Sequence, residues 1–182
     1  MRVIAGRARS LKLKTPEGLD TRPTTDRIKE TLFNILQTDL LDCVFADLFA
    51  GSGGIGIEAL SRGTKHAYFV ENGREAIQCI QDNLVFTKFA NQATLLKQDV
   101  FSALNLINET EIDIIFMDPP YGADYEEQLF QLLDRQRYVT QNTLLILEAE
   151  LNKKADFLEQ TQFRVVREKC YKTNKHIFIK RK

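Results

Sequence analysis

The sequence predicts an α/β protein: a helix-covered, mostly parallel sheet assembled from seven strand candidates and ending in an antiparallel hairpin. Three observations predict it. From about residue 43 short β-rich apolar runs alternate with amphipathic stretches. A glycine loop, Gly51-x-Gly53-x-x-Gly56, stands between the first such run and the first helical stretch. The last two runs are separated only by residues 171–174, a gap too short for a crossover helix, so they must pair antiparallel.

In chain order, residues 1–40 read as a basic extension and residues 41–182 as the main unit. The first fourteen residues hold Arg2, Arg7, Arg9, Lys12 and Lys14 and no negative charge. Residues 11–14 alternate apolar and basic side chains as an exposed hairpin strand would. After a Pro/Gly turn at 16–18, Thr24 or Thr25 is placed to cap a helix whose Ile28, Leu32, Ile35 and Leu36 fall at i, i+4, i+7 and i+8. In the main unit the strand candidates are 43–49, 66–71, 94–98, 112–118, 143–149, 163–170 and 175–180. Helix candidates lie between them at 53–62, 74–88, 100–108, 125–135 and 153–159.

With 182 residues, 43% of them hydrophobic and 27% charged, the chain can bury a core as one domain with a small appendage. No apolar run approaches the roughly 18–20 residues needed to cross a bilayer, so a cytoplasmic, monomeric protein is expected. Cys43, Cys79 and Cys170 are few and far apart, which writes neither a disulfide framework nor a metal site and predicts buried thiols. The 25 basic and 25 acidic residues cancel, but not locally. Residues 1–30 carry a net +4, residues 31–163 a net −11 and residues 164–182 a net +7, so two basic ends flank an acidic middle.

Chemistry concentrates at predicted strand ends. The glycines allow a sharp turn and close approach of backbone to a ligand, and the helix that follows offers free N–H groups. Glu71, twenty residues after Gly51, ends the second strand candidate where an acidic side chain can accept both hydroxyls of an adenosine ribose. Asp99 follows the third and is placed to meet an adenine edge. A nicotinamide dehydrogenase and an S-adenosylmethionine methyltransferase would both use these features. The roughly forty residues ahead of the glycine strand favour the second, as does the end of the fourth strand candidate. There Asp118-Pro119-Pro120-Tyr121 offers a carboxylate and a carbonyl as fixed acceptors beside an aromatic ring, which matches the two N–H donors and flat face of a nucleobase amine.

Three stretches, Arg22-Pro-Thr-Thr-Asp-Arg27-Ile-Lys-Glu30, Asp47-Leu-Phe-Ala-Gly51-Ser-Gly-Gly-Ile-Gly56-Ile-Glu-Ala-Leu-Ser-Arg-Gly63 and Asp118-Pro-Pro-Tyr121, closely resemble the bacterial 16S rRNA guanine-N2 methyltransferase (RsmD) family. The resemblance covers almost the whole chain. It implies a class I, Rossmann-like methyltransferase sheet of seven strands, S-adenosyl-L-methionine as donor, and the exocyclic N2 amine of a guanine in 16S rRNA, within a small-subunit particle, as target. It implies neither metal nor membrane. Carried over, Phe49, Ala50, Gly51, Ser52, Gly53 and Gly56 would line the methionine side of the cofactor, Glu71 with Asn72 the ribose, and Asp99 with Val100 the adenine. Asp118, Pro119, Pro120 and Tyr121 would hold the target base, with Asp118 also bordering the cofactor. The segment bearing Arg22, Thr24 and Arg27 would fold over the site, where Arg22 or Arg27 can hold a phosphate; Arg27 and Glu30 can instead form a surface pair.

On charge alone, Arg7, Arg9 and Lys12 are candidates for phosphate contact, or else protect an exposed edge. Residues 171–175 depart from a glycine-bearing segment of the family, which touches carboxyl-terminal RNA contacts and not methyl transfer. Two alternatives stand beside the leading one: a DNA adenine-N6 or cytosine-N4 methyltransferase, and a non-catalytic RNA-binding assembly factor.

Overall fold

Seven strands form one sheet in the computed structural model, which describes residues 1–16, 26–120, 122 and 125–182. They are β1 (Val44–Asp47), β2 (His66–Val70), β3 (Ala93–Leu96), β4 (Ile114–Met117), β5 (Leu144–Glu150), β6 (Phe163–Cys170) and β7 (Asn174–Arg181), in the spatial order β3-β2-β1-β4-β5-β7-β6. The first five are mutually parallel, and β7 runs antiparallel to both β5 and β6. The order reverses between β1 and β4, so their carboxyl ends open the crevice in which such sheets bind ligands.

Both faces are covered, which is why β4 reads Ile-Ile-Phe-Met without alternation. One face packs Ile115, Met117, Leu145, Leu147, Ile177 and Ile179 against α4 (Val100–Ala103) and α5 (Glu126–Asp134). The other packs Phe45, Phe69, Ile114, Phe116, Ile146 and Phe178 against α1 (Asp26–Ile35), α2 (Gly54–Ser61) and α3 (Arg74–Phe86).

The extension differs from its reading. Residues 11–14 form no strand; a single antiparallel bridge joins Arg2 to Lys12, while Val3, Ala8 and Leu13 are buried in the second face's core. Backbone bonds from Val3 N–H to the Leu11 carbonyl and from Leu13 N–H to the Met1 carbonyl flank that bridge, so a minimal pairing and apolar packing together hold this segment. A Cβ on Gly6 would lie 1.9 Å from the Ser61 carbonyl oxygen, and Gly6 has φ 83°, so only glycine lets the segment lie this close to α2. In α1 the buried side chains are Lys29, Leu32 and Phe33, followed by Leu36, whereas Ile28 and Ile35 are half-buried. The buried stripe is thus rotated by about one residue from the apolar pattern, because a charged residue, Lys29, points inward. Thr24 and Thr25 lie outside the described residues.

The expected helix at 153–159 is only a 3-10 turn at Asp156–Leu158, whose Phe157 and Leu158 plug the core under α5. The helix expected at 100–108 closes after Ala103. Among the three thiols Cys43 is buried, Cys79 is half-buried and Cys170 is exposed, so burial is right for one of the three. No helix among the described residues is long and apolar enough to cross a membrane.

Candidate active site

The glycine loop joins β1 to α2. Gly51 and Gly53 have φ 54° and 81°, the left-handed region that favours glycine. The loop is tied down from below: Gly53 N–H donates to the Ala50 carbonyl at 2.7 Å and Gly56 N–H to Asp47 Oδ2 at 3.0 Å. A Cβ on Gly56 would stand 2.3 Å from the Phe69 ring, so this glycine seats α2 against β2. A Cβ on Gly51, by contrast, meets nothing within 4 Å, so the loop borders open space on that side. Asp47 is buried with its Oδ1 unpaired, and burial, followed by Glu71, pushes its carboxyl up to about 7 against the hydrogen bond from Gly56.

Around this loop the predicted ligand residues gather. Glu71 Oε2 accepts from Gly51 N–H at 2.8 Å, and Oε1 accepts from Asn72 and Gly73 N–H at 2.9 and 2.8 Å. Of about four carboxylate lone-pair positions three are thus occupied, leaving one on Oε2. Asn72 is exposed beside it, while Ala50 and Ser52 are buried and Ala50 N–H donates to the Val70 carbonyl. Asp99 caps α4 by accepting from Ser102 N–H at 3.0 Å; hydrogen bonding from the Ser102 side chain, followed by that from its N–H, holds the carboxyl below the usual value, and Val100 is buried behind it. Phe49 stacks on Tyr125 with ring centroids 6.4 Å apart, and Phe101 meets Tyr125 edge-on at 5.3 Å. Tyr125 is not among the sequence candidates. Only its place four residues after the Pro-Pro-Tyr run could mark it.

Asp118 follows β4 at the reversal of strand order, with Pro119 buried and Pro120 exposed. Tyr121 lies outside the described residues. Burial raises the Asp118 carboxyl well above its ordinary value, and Glu148 and Asp47 push in the same direction. Glu148, on β5, is the feature the sequence does not announce. It is buried, with Oε1 accepting from Asn174 Nδ2 and Oε2 lying 3.1 Å from His176 Nε2; His176 Nδ1 is 3.0 Å from the Tyr171 hydroxyl. These pairs come from β5 and β7, which only the antiparallel closure brings together.

The extension reaches the loop from behind. Asn83 of α3 accepts from Lys14 N–H through Oδ1 and donates through Nδ2 to the carbonyls of Lys14 and Ser52. Glu58, fully buried in α2, accepts from Ile4 and Ala5 N–H and pairs with Lys29 Nζ at 3.2 Å and Arg62 Nε at 2.8 Å. The expected phosphate ligands divide. Arg7 donates to the Leu60 carbonyl and Gln92 Oε1 and lies over the Phe89 ring, so its guanidinium is engaged within the molecule. Arg9, Lys12 and Arg27 are exposed with no ion-pair partner among the described residues. Arg22 and Thr24 lie outside them. No cluster of His, Cys, Asp or Glu that could hold a metal occurs among the described residues.

Comparison with known proteins identifies the family. Residues 1–180 match the family model described as Conserved hypothetical protein 95. Ribosomal RNA small subunit methyltransferase D of Haemophilus influenzae is 38% identical over 157 residues, covering 84% of this chain and 80% of the relative. The protein of that name from Escherichia coli K12 is 36% identical over 151 residues, covering 83% and 75%. The solved Escherichia coli protein yhhF superposes with TM-score 0.84 at 33% identity over 100% of this chain and 98% of that one. A precorrin-6y methyltransferase of Geobacter metallireducens shares the fold at TM-score 0.70 and 22% identity, covering 93% and 94%. From its first residues to its last strand, the chain belongs to the Conserved hypothetical protein 95 family, that of the small-subunit rRNA methyltransferase D proteins.

Proposed function

We propose that the protein transfers a methyl group from S-adenosyl-L-methionine to the exocyclic N2 amine of a guanine in 16S rRNA. The observation that carries this reading is the placing of Asp118-Pro119 beside the Gly51 loop, at the one reversal of strand order in the parallel part of the sheet. The rRNA target rests on the names of the relatives; the amine chemistry rests on the residues.

The residues present fit the cofactor. Open space beside Gly51 admits a ligand to the backbone, and the free lone pair on Glu71 can take one ribose hydroxyl with the loop as it stands. Asp99 and Val100 border the adenine, and Phe49 with Tyr125 supplies an aromatic wall. When bound, S-adenosyl-L-methionine supplies an electrophilic sulfonium methyl. The chain's own task is to prepare the amine. Its lone pair is delocalised into the base, and two acceptors, Asp118 carboxylate and Pro119 carbonyl, favour a pyramidal nitrogen and stabilise the positive charge that grows there. Asp118 then accepts the proton from that nitrogen. A carboxylate raised by burial and by Glu148 is a stronger base for this than an exposed one. By the family resemblance Tyr121 would stack on the target base, and alignment of the acceptors supplies much of the remaining rate gain.

Tritiated methyl transfer tests the reading. Small subunits and naked 16S rRNA from cells lacking the enzyme, with plasmid DNA as control, are incubated with wild type and with Asp118→Ala. Incorporation into rRNA by the wild type, reduced at least about 100-fold in the variant, is expected, since one positioned acid–base group contributes about 10²–10⁴-fold. Equal incorporation by both proteins removes Asp118 from the mechanism, and incorporation into plasmid alone moves the substrate to DNA.

A further inference from the structure

We propose that the basic face of the terminal hairpin, formed by Arg164, Arg167, Lys169 and Lys180, is the surface along which the phosphate backbone of the RNA substrate lies. The inference rests on the rRNA reading above and assigns its principal docking surface to the end of the chain opposite the basic amino terminus.

Strand register carries the argument. Partners on adjacent strands project to the same face, and β6 pairs with β7 as Arg164 with Lys180, Arg167 with Phe178 and Lys169 with His176. Residues 176, 178 and 180 alternate along β7, so all four cations share one face of the sheet. A bulge between Val165 and Arg167 shifts the register and keeps Arg167 in that set; without it the basic residues of β6 would divide between faces. The guanidinium of Arg167 lies over the Phe178 ring, which fixes the side on which it points. The one carboxylate of the hairpin, Glu168, pairs with Ile177 in the register and binds Lys175 on the other face.

The same face contains the candidate site. Glu148 pairs with His176, and Met117 with Leu147, so Asp118, Glu148, His176 and Lys169 form one row across β4, β5, β7 and β6. Three strand spacings separate its ends, about 14 Å. A nucleotide held at Asp118 therefore has phosphates within a few residues of it in reach of this face.

The cations are also available. Arg164, Lys169 and Lys180 have no ion-pair partner among the described residues, and Arg164 and Arg167 are exposed. At the amino terminus Arg2 pairs with Asp26, Lys14 with Asp82, and Arg7 is held by Leu60, Gln92 and Phe89, which leaves only Arg9 and Lys12 exposed without an ion-pair partner among the described residues of the first sixteen. Edge protection alone would explain charges on β6. It does not explain their restriction to one face, the displacement of Glu168 to the other, or their alignment with Asp118.

The test is binding of in vitro transcribed 16S rRNA by the full-length protein over a range of salt concentrations. Wild type is compared with R164Q/R167Q/K169Q/K180Q and with R9Q/K12Q, and calorimetric binding of S-adenosyl-L-methionine reports whether each variant is folded. The quadruple variant should bind cofactor as wild type does and lose at least tenfold in RNA affinity. Its salt slope should be shallower by about 0.7 for each phosphate no longer neutralised, about 3 in all. R9Q/K12Q should change the slope less. Unchanged RNA affinity and slope in a cofactor-binding quadruple variant overturns the proposal while leaving methyl transfer intact. Equal affinity of the wild type for poly-L-glutamate and for rRNA also overturns it, making the face a general polyanion surface. A wild type that binds rRNA with the expected slope but transfers no methyl keeps the surface and removes the enzymatic reading instead.

Discussion

Asp118, just after β4, and Glu148, on the neighbouring β5, set two carboxylates close enough to act on each other. Asp118 sits where the Pro-Pro run predicts, but its carboxyl is lifted by burial and by two nearby carboxylates, Glu148 and Asp47. In the proposed mechanism the reactive form of Asp118 is the carboxylate, so the rate should rise with pH through this raised value. Replacing Glu148 with Gln removes one neighbouring negative charge while keeping an oxygen to accept from Asn174. Glu148→Gln is therefore predicted to shift the midpoint of the pH–rate profile downward; a loss of rate at every pH with the midpoint unmoved would make Glu148 purely structural. Stability follows with the opposite sign. A carboxyl whose value is raised by folding loses stability as pH climbs from about 3.9 to the raised value, and the variant should show a flatter decline over that window.

At the scale of elements, the docking of the extension onto α2 depends on one buried carboxylate. Glu58 satisfies two backbone N–H groups and faces Lys29 and Arg62, and burial lowers the Lys29 ammonium although Glu58 opposes that shift. Glu58→Ala strips the buried Lys29 ammonium of its carboxylate, leaving it only the Arg2 carbonyl, and unpairs the half-buried Ile4 and Ala5 N–H groups, a loss of about 3–5 kcal/mol. Denaturant unfolding checks it; a change under about 1 kcal/mol would mean that water replaces the carboxylate. The same elements show what is legible in the sequence. The glycine loop, the strand ends at Glu71 and Asp99 and the turn at Asp118 are written in consecutive residues, because backbone geometry is a local matter. Glu58 with Ile4, Asn83 with Ser52, and Glu148 with His176 are separated by 54, 31 and 28 residues, and nothing in their local sequence marks them as partners. The inward Lys29 defeats an apolar-periodicity reading of α1 because a paired charge can occupy a core position. The 3-10 turn at Asp156–Leu158 defeats another, because two apolar anchors suffice there without a helix.

For the whole molecule, charge placement carries more meaning than charge count. The sequence has 25 residues of each sign, with both ends basic. Folding ties Arg2, Arg7 and Lys14 of the amino-terminal segment into contacts within the molecule and sets Arg164, Arg167, Lys169 and Lys180 on one face of the sheet, in line with Asp118. An acidic catalytic middle, whose carboxylates grip N–H groups, thus sits beside a basic surface suited to phosphates. The atom that receives the methyl group decides the function, and nucleoside mass spectrometry of 16S rRNA identifies it. Undermethylated rRNA or small subunits incubated with the protein and S-adenosyl-L-methionine should gain a single N2-methylguanosine with the wild type and none with Asp118→Ala. Appearance of N6-methyladenosine or N4-methylcytosine in its place, or an unmethylated product with cofactor-bound wild type on both substrates, would rule out methyl transfer to guanine N2.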